Sequence, residues 1–136
     1  MSKAKKPAGN AARLFEAARE VMRRAHAPYS SFPVGAAVLT EGGAIHAGCN
    51  VENASYPEGW CAETSALAHM VAAGESRITE VAVIAERMAA VTPCGGCRQR
   101  LKEFGAADTP VHLCDANGVV ETVTLGDLLP KAFALA

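Results

Sequence analysis

The alternation of apolar and polar residues divides the chain into helical and extended segments. Apolar residues recur every three or four positions over residues 11–25, which predicts an amphipathic helix. Two apolar stretches on either side of the turn sequence TEGG predict a β-hairpin, with strands over 34–39 and 44–52. The same patterns then predict helices over 62–73 and 95–105, strands over 80–86, 111–115 and 119–125, and one helical turn near the C-terminus.

The order of these elements predicts an α/β fold. Strands that alternate with helices in the middle of the chain imply a partly parallel sheet whose faces are covered by helices. We expect a single domain over residues 11–136. The preceding segment, residues 1–10, carries three lysines and no apolar stretch, so we expect a disordered tail there.

Composition and charge narrow the classes of function. The chain has 136 residues, half of them apolar, and a formal net charge of −1, so a nucleic acid is not an expected partner. It contains no apolar run of about 18 residues or more, so neither a transmembrane helix nor a membrane partner is expected. The start of the chain lacks the apolar core of a signal peptide, and we therefore expect a cytoplasmic protein.

The cysteines point to chemistry rather than to disulfide bonds. Five are present, an odd number: Cys49, Cys61, Cys94, Cys97 and Cys114. In a reducing compartment, clustered cysteines more often bind a metal or react than pair with one another. Cys49 and Cys114 lie in apolar strands, where we expect buried core thiols.

The other three cysteines lie at the starts of two predicted helices. Cys94 and Cys97 are three residues apart in the sequence PCGGC, and Cys61 precedes the helix over 62–73. Helix N-termini have free N–H groups and partial positive charge, which stabilise thiolates. If the two helix starts meet, three sulfurs can bind one Zn²⁺ and leave its fourth position open, as in catalytic zinc sites.

Glu63 follows Cys61 by two residues, in the sequence CAETS. A carboxylate at this position lies near the metal without binding it, and can move a proton from water to a substrate nitrogen. Simpler interpretations exist for each motif alone. A Cys-x-x-Cys pair is also typical of a redox dithiol or of half a structural zinc site, and a glutamate in the first turn of a helix often only complements the helix dipole.

Taken together, these motifs resemble the small, homotetrameric cytidine deaminases with a three-cysteine zinc site. The similarity extends from about Arg13 to Phe133 and rests on FPVGAAV (32–38), NVENASY (50–56), CAE (61–63), PCGGCRQ (93–99) and LLPKAF (128–133). Cys-x-Glu followed by Pro-Cys-x-x-Cys matches the pattern of zinc nucleobase deaminases. The resemblance implies a three-layer α/β/α sandwich with a central mixed sheet, and one Zn²⁺ per subunit. The implied reaction is hydrolysis of cytidine and deoxycytidine to uridine and deoxyuridine, with release of ammonia, as in pyrimidine salvage.

The resemblance also implies substrate contacts. Phe32 would pack on the pyrimidine, Asn50 and Glu52 would bind the ribose hydroxyls, and Phe133 would reach into a neighbouring subunit's site. Asn50 and Glu52 are two residues apart at a strand end, so both face the same side, although solvated polar residues are also common there. The backbone of Ala62 can contact the base edge. Phe32 and Phe133 are equally compatible with ordinary core positions.

Thr64 departs from the resemblance, because the family commonly has arginine after the glutamate, where it can hydrogen-bond the thiolates. Zn²⁺ with three thiolates is formally −1, which would weaken its effect on the pKa of a bound water. Arg98, Arg100 and the helix N–H groups are the candidates for compensation, and the sequence does not decide whether any of them acts. Two alternative functions remain open from the sequence. One is deamination of a related aminopyrimidine compound such as blasticidin S, and the other is a non-catalytic, structural zinc module.

Overall fold

The helices and strands occur in the predicted order. The structure, a computed structural model, describes residues 9–135. In this part of the chain the elements are α1 (Asn10–Met22), β1 (Val34–Thr40), β2 (Ile45–Cys49), α2 (Ala62–Ala72), β3 (Ile78–Ala85), α3 (Gly95–Phe104), β4 (Pro110–Asp115), β5 (Gly118–Thr124) and α4 (Leu125–Leu128). Residues 1–8 of the predicted tail lie outside the described residues. None of the helices in the described range has the length and apolar character needed to cross a membrane.

The five strands form one mixed sheet in the order β2-β1-β3-β4-β5. β3 and β4 are parallel, and the other neighbouring pairs are antiparallel. The chain crosses between the two parallel strands through α3, as parallel pairing requires a crossover connection. The sheet therefore brings the starts of α2 and α3 into the same half of the molecule.

Helices cover both faces of the sheet. On one face α1 packs through a small apolar cluster: Leu14, Phe15, Ala18, Ala37, Leu39, Ala82, Ile84 and Cys114. On the other face α2 and α3 pack through a larger one: Ala36, Val38, Ala62, Ala66, Leu67, Met70, Ile78, Val81, Val83, Leu101, Val111, Leu113 and Leu125. Successive residues of β1 and β3 alternate between the two clusters, as strand geometry requires. The predicted three-layer α/β/α sandwich with a central mixed sheet is confirmed.

Two glycines let helices approach the sheet closely. A Cβ atom on Gly35 of β1 would lie 2.1 Å from the carbonyl oxygen of Ala18 in α1. A Cβ atom on Gly48 of β2 would lie 2.3 Å from the amide nitrogen of Ala66 in α2. Since neither distance is possible for real atoms, each helix rests directly on strand backbone, and Gly48 sets the distance of α2 from the sheet.

Most element boundaries lie within two residues of the predictions, and two differ by three residues. α1 ends at Met22 rather than at residue 25, because the next residues form a turn in which the N–H of Arg24 donates to the carbonyl of Val21 (2.9 Å). β2 ends at Cys49 rather than at residue 52, because Asn50 turns its side chain towards the segment before β1. Both elements end early because the segments that follow them lead into the site described in the next section.

Candidate metal centre and active site

The starts of α2 and α3 carry the three clustered cysteines. Cys61 is the N-cap residue of α2 and Cys94 is the N-cap residue of α3, and neither side chain caps its own helix. Cys97 is the third residue of α3. The first N–H groups of a helix have no partner within the helix, so these two ends direct N–H dipoles towards the thiols.

The three sulfur atoms converge as the sequence predicts. Those of Cys61, Cys94 and Cys97 all lie within 4.8 Å of one another. The Sγ atoms of Cys61 and Cys94 are 3.7 Å apart, close to the spacing of about 3.8 Å for tetrahedral ligands with Zn–S bonds of about 2.3 Å. Among residues 9–135 this is the one such cluster of potential ligands. The donor set fits zinc, since thiolates select it over the harder Mg²⁺ and Ca²⁺.

The cysteines differ in how readily they ionise. A hydrogen bond with Cys97 lowers the pKa of Cys61, whereas the same contact, together with burial, raises the pKa of Cys97 well above its usual range. Cys114 lies on the other face of the sheet, where burial raises its pKa to about 11. Cys114 is therefore a core thiol, as predicted, whereas Cys49 is half-buried and departs from that prediction.

Glu63 lies beside the sulfur cluster in the first turn of α2 and is only 4 % exposed. Burial raises the pKa of its carboxyl, and the charge of Arg100 is among the weaker influences in the opposite direction. A carboxyl with a raised pKa takes up a proton more readily than an exposed glutamate, which suits a general acid–base group.

A cavity of about 330 Å³ opens beside Cys61 and Cys94. Its lining contains most of the predicted site residues, together with apolar neighbours: Ser30, Phe32, Val34, Asn50, Glu52, Cys61, Ala62, Glu63, Val83, Val91, Thr92 and Cys94. This volume is near the lower end of the range for small-molecule sites, about 300–1,000 Å³. The cavity combines an apolar wall with a few polar groups at its floor and rim, which is typical of a site for a small, partly polar ring compound.

Asn50 and Glu52 hold the segment around Phe32 at the rim of this cavity. The amide of Asn50 accepts from the N–H of Val34 (2.9 Å) and donates to the carbonyl of Phe32 (2.9 Å). Glu52 accepts from the N–H groups of Tyr29 (3.0 Å) and Ser30 (3.1 Å) and from the Ser30 hydroxyl. The hydroxyl contact is the largest of the influences that lower the pKa of Glu52. Both predicted substrate residues thus also position a loop.

Sequence reasoning missed Ser30 and Arg87. Arg87 donates from Nη1 to the carbonyl of Ser31 (3.0 Å), which ties the segment after β3 to the Phe32 segment. Ser31 has a φ of 53°, in the left-handed region that non-glycine residues rarely adopt. Neither contact has a local signal in the sequence, because Ser30 pairs with Glu52 and Arg87 with Ser31 across long separations along the chain.

Residues 9–113 match the protein family described as "Cytidine and deoxycytidylate deaminase zinc-binding region". The chain belongs to this deaminase family. The match includes both helix starts with their three cysteines and Glu63. The predictions of a zinc-binding deaminase and of its fold are therefore confirmed, and the predicted zinc cofactor agrees with the family's description.

Individual members of the deaminase family are similar over almost their whole length. A cytidine deaminase of Sporosarcina psychrophila is 41 % identical over 122 residues, which cover 90 % of each chain. The crystal structure of a cytidine deaminase from Burkholderia pseudomallei superposes with a TM-score of 0.84 at 45 % identity, covering 89 % of this chain and 97 % of that one. A cytidine deaminase structure from Mycobacterium tuberculosis gives a TM-score of 0.81 at 37 % identity, covering 90 % and 96 %.

Thr64, the departure from the common family pattern, contacts both the sulfur cluster and a cation. Its Oγ1 lies 3.6 Å from Sγ of Cys97 and accepts from Nη1 of Arg100 at 3.2 Å. Arg98 instead donates to the carbonyls of Pro93 and Leu128, both at 2.8 Å. Of the two arginines suggested by the sequence, Arg100 is the one in contact with Thr64.

Phe133 is outside the lining of this deaminase chain's own cavity. Its carbonyl accepts from the side chain of Gln99 (3.2 Å), which attaches the C-terminal segment to α3, while Phe133 is 69 % exposed. Leu135 is more exposed still, at 86 %. Phe133 is therefore not a core residue, and within one chain it does not complete the site.

Proposed function

We propose that this protein catalyses the zinc-dependent hydrolytic deamination of cytidine and deoxycytidine. The products are uridine or deoxyuridine and ammonia, which is a step of pyrimidine salvage. The observation that carries the proposal is the convergence of three thiols within 4.8 Å beside the buried Glu63, at the floor of a ring-sized cavity. The similar proteins of Sporosarcina psychrophila and Mycobacterium tuberculosis are both named cytidine deaminase, which supports this substrate class.

Cys61, Cys94 and Cys97 would hold the zinc ion, one per chain. When bound there, zinc supplies a Lewis acid that makes water a nucleophile near neutral pH. The three thiols leave one ligand position for that purpose. Cys61 and Cys94 border the cavity, whereas Cys97 is fully buried, so a zinc ion held by the three thiols would be accessible from the cavity.

Glu63 would move the protons of the reaction. It takes a proton from the attacking water and delivers it to N3 of cytosine, which makes C4 more electrophilic. The C4–O bond forms, and Glu63 then takes the proton of the new C4 hydroxyl and passes it to the amino group. The C4–N4 bond breaks as the C4=O bond forms, and the amino group leaves as ammonia. Its burial and raised pKa suit both transfers.

The walls of the cavity would select a pyrimidine nucleoside. Phe32 packs against the base, and the backbone of Ala62 contacts the base edge. Asn50 keeps one amide N–H beyond its contact with Phe32, and Glu52 keeps acceptor capacity at the rim. We assign these remaining groups to the ribose hydroxyls, in addition to their positioning of the loop.

We also propose a homotetramer with shared sites, acting in the cytoplasm. Phe133 is exposed and anchored beside α3 through its backbone, which leaves its ring free to enter a neighbouring chain's cavity. Further apolar side chains are exposed near the start and the outer face of α2, among them Trp60 at 52 % and Val71 at 50 %. A reducing compartment keeps the three thiols available for zinc.

One experiment tests the proposal against its alternatives. The purified protein is assayed for ammonia release from cytidine, deoxycytidine and blasticidin S, and zinc is counted per chain. We expect one zinc per chain and efficient turnover of both nucleosides. Turnover of blasticidin S alone would reassign the substrate, and zinc without any turnover would indicate a structural zinc module.

A further inference from the structure

Cys97 differs from the other two thiols in its surroundings. It is fully buried, whereas Cys61 is half-buried and Cys94 is exposed to solvent. Water can therefore solvate the charge on Cys94, but the charge on Cys97 must be stabilised by protein groups. Three thiolates around Zn²⁺ leave a formal charge of −1, which increases the need to stabilise the charge on Cys97.

Two side chains form a hydrogen-bonded chain that ends at this sulfur. Arg100 Nη1 is 3.2 Å from Thr64 Oγ1, which is 3.6 Å from Cys97 Sγ. A guanidinium group can only donate hydrogen bonds, so the Thr64 oxygen must be the acceptor in the first contact. The hydroxyl hydrogen of Thr64 is then free to point at the sulfur. The direction of the chain is thereby fixed, from cation to hydroxyl to thiolate.

The backbone holds both ends of this chain in place. Arg100 follows Cys97 by three residues on α3, so the two lie on the same side of the helix. Its guanidinium lies over Gly96, where a Cβ atom would be 3.1 Å from Nη1. Thr64 is the third residue of α2, directly after Glu63. Thr64 therefore projects from the first turn of α2, and Arg100 from the second turn of α3, one turn after Cys97.

We propose that Thr64 and Arg100 act together as positioning residues that stabilise the Cys97 thiolate and so retain the zinc ion. An arginine at position 64 would hydrogen-bond the thiolates from α2 alone. In this chain Thr64 of α2 and Arg100 of α3 share that role. The inference rests on the proposed zinc function. Neither residue is assigned a contact with the substrate or the reacting atoms.

The test measures zinc affinity by competition with a chelator of known affinity. The variants are Arg100→Gln, Thr64→Val and the double variant. Lys102→Gln is the matched control, because it removes one positive charge from the same helix at a side chain outside the cysteine cluster. Loss of a group that supports a metal ligand typically lowers affinity about 10–100-fold. We expect the zinc affinity of each single variant to fall by a factor in this range. The double variant should bind zinc no more weakly than the weaker of the two single variants. The zinc affinity of the control should be unchanged.

A second readout uses the cobalt-substituted protein and does not depend on turnover. A thiolate that loses a hydrogen bond has higher-energy lone pairs, so its thiolate-to-cobalt absorption band moves to longer wavelength. We expect this shift in Arg100→Gln and Thr64→Val but not in Lys102→Gln. Because Arg100 is exposed, its variant gives a result even if Thr64→Val does not fold.

The outcomes separate this inference from the proposed function. A wild-type protein without zinc would overturn the proposed function itself. If the wild-type protein binds zinc and deaminates cytidine, unchanged zinc affinity and cobalt absorption in Arg100→Gln would overturn only the role of the pair. Strictly multiplicative losses of zinc affinity in the double variant would also overturn it, since they would show that the two residues act independently. An equal loss of zinc affinity in Lys102→Gln would overturn it as well, since it would show a general effect of charge.

Discussion

Cys97 and Cys114 are both fully buried, and they belong to opposite sides of the same sheet. Cys114 projects from β4 into the apolar cluster beneath α1, where its thiol donates to the backbone carbonyl of His112 at 3.7 Å. Cys97 lies in α3 on the other side, with two further thiols, Thr64 and Glu63 around it. Burial of a cysteine is thus common to both faces, whereas clustering is confined to one.

The two faces of the sheet differ in how their helices begin. α1 covers its face alone, and its first turn carries no acidic residue and no cysteine. α2 and α3 start with N-cap cysteines, and their starts meet at the edge of the cavity. Two helix dipoles directed at one point stabilise negative charge there, and a single helix packed along the sheet does not. The site therefore depends on the meeting of two helix starts rather than on the number of cysteines.

The sharpest test compares a carboxylate on each side, the buried Glu63 and the partly exposed Glu80. Glu63→Gln should lower kcat by about 10²–10⁴-fold while zinc stays bound, because the amide cannot carry the proton. Glu80 accepts from His112 at 2.5 Å on the α1 side, so Glu80→Gln should lower thermal stability and leave kcat intact. Steady-state kinetics with zinc analysis measures both, and near-normal turnover in Glu63→Gln would remove its proton-transfer role.

Removing one buried thiol from each side should separate metal binding from packing. Cys97→Ala should lose most of its zinc and unfold at a lower temperature, because zinc bound only to the folded state adds to folding free energy. Cys114→Ala should keep its zinc and lose about 1 kcal/mol of stability through packing. Zinc content and thermal melts measure the pair, and equal zinc loss in both variants would show that the wrong sulfurs are assigned.

The C-terminal segment allows a test of whether Phe133 contributes to the active site of a neighbouring chain. Phe133→Ala should raise KM for cytidine about 2–10-fold, the usual range for loss of an aromatic contact. Co-expression of Glu63→Gln and Phe133→Ala chains should restore some sites with the wild-type KM, because a mixed assembly pairs an intact Glu63 with an intact Phe133. If only the raised KM is found in the mixture, Phe133 does not act between chains.

The smallest effect is expected from Glu52, whose contacts with Tyr29 and Ser30 hold the loop at the cavity rim. The folded-state pKa of Glu52 is lowered, mainly by the Ser30 hydroxyl, so its contribution to stability is present above the unfolded-state pKa. That contribution is lost as the pH falls through the lowered pKa. The Tm difference between wild type and Glu52→Gln should therefore be largest at neutral pH and shrink in acid. A difference that grows in acid would contradict this assignment.

Features set by neighbouring residues were predictable from the sequence. The two helices were predicted to start beside Cys61 and beside Cys94, which follows Pro93, and helix-end electrostatics favours thiolates at such positions. The final turn, α4, carries a capping box between Thr124 and Asp127, a signature that is visible in the sequence TLGD. In each case the residues that decide the structure lie within four positions of one another.

Contacts between distant segments could not be predicted in the same way. Arg100 and Thr64 are 36 residues apart and Arg87 and Ser31 are 56 apart, and each contact depends on how two elements pack. The partner of His112 was also missed, because the strand pairing that brings Glu80 beside it gives no local spacing signal. Periodicity predicts which face of an element is buried, but not the side chain that it meets.

The direct packing of α2 on Gly48 has a consequence for inherited variation. An alanine at this position would place its methyl carbon 2.3 Å from the backbone of Ala66, so α2 would have to move outward. Cys61 and Glu63 would move with it, away from Cys94 and Cys97 on α3. A substitution at a residue with no side chain, 13 positions before Cys61, would thus have the phenotype of a lost metal ligand. Genetic variants at Gly48 belong with those at the cysteines when loss of deaminase activity is assessed.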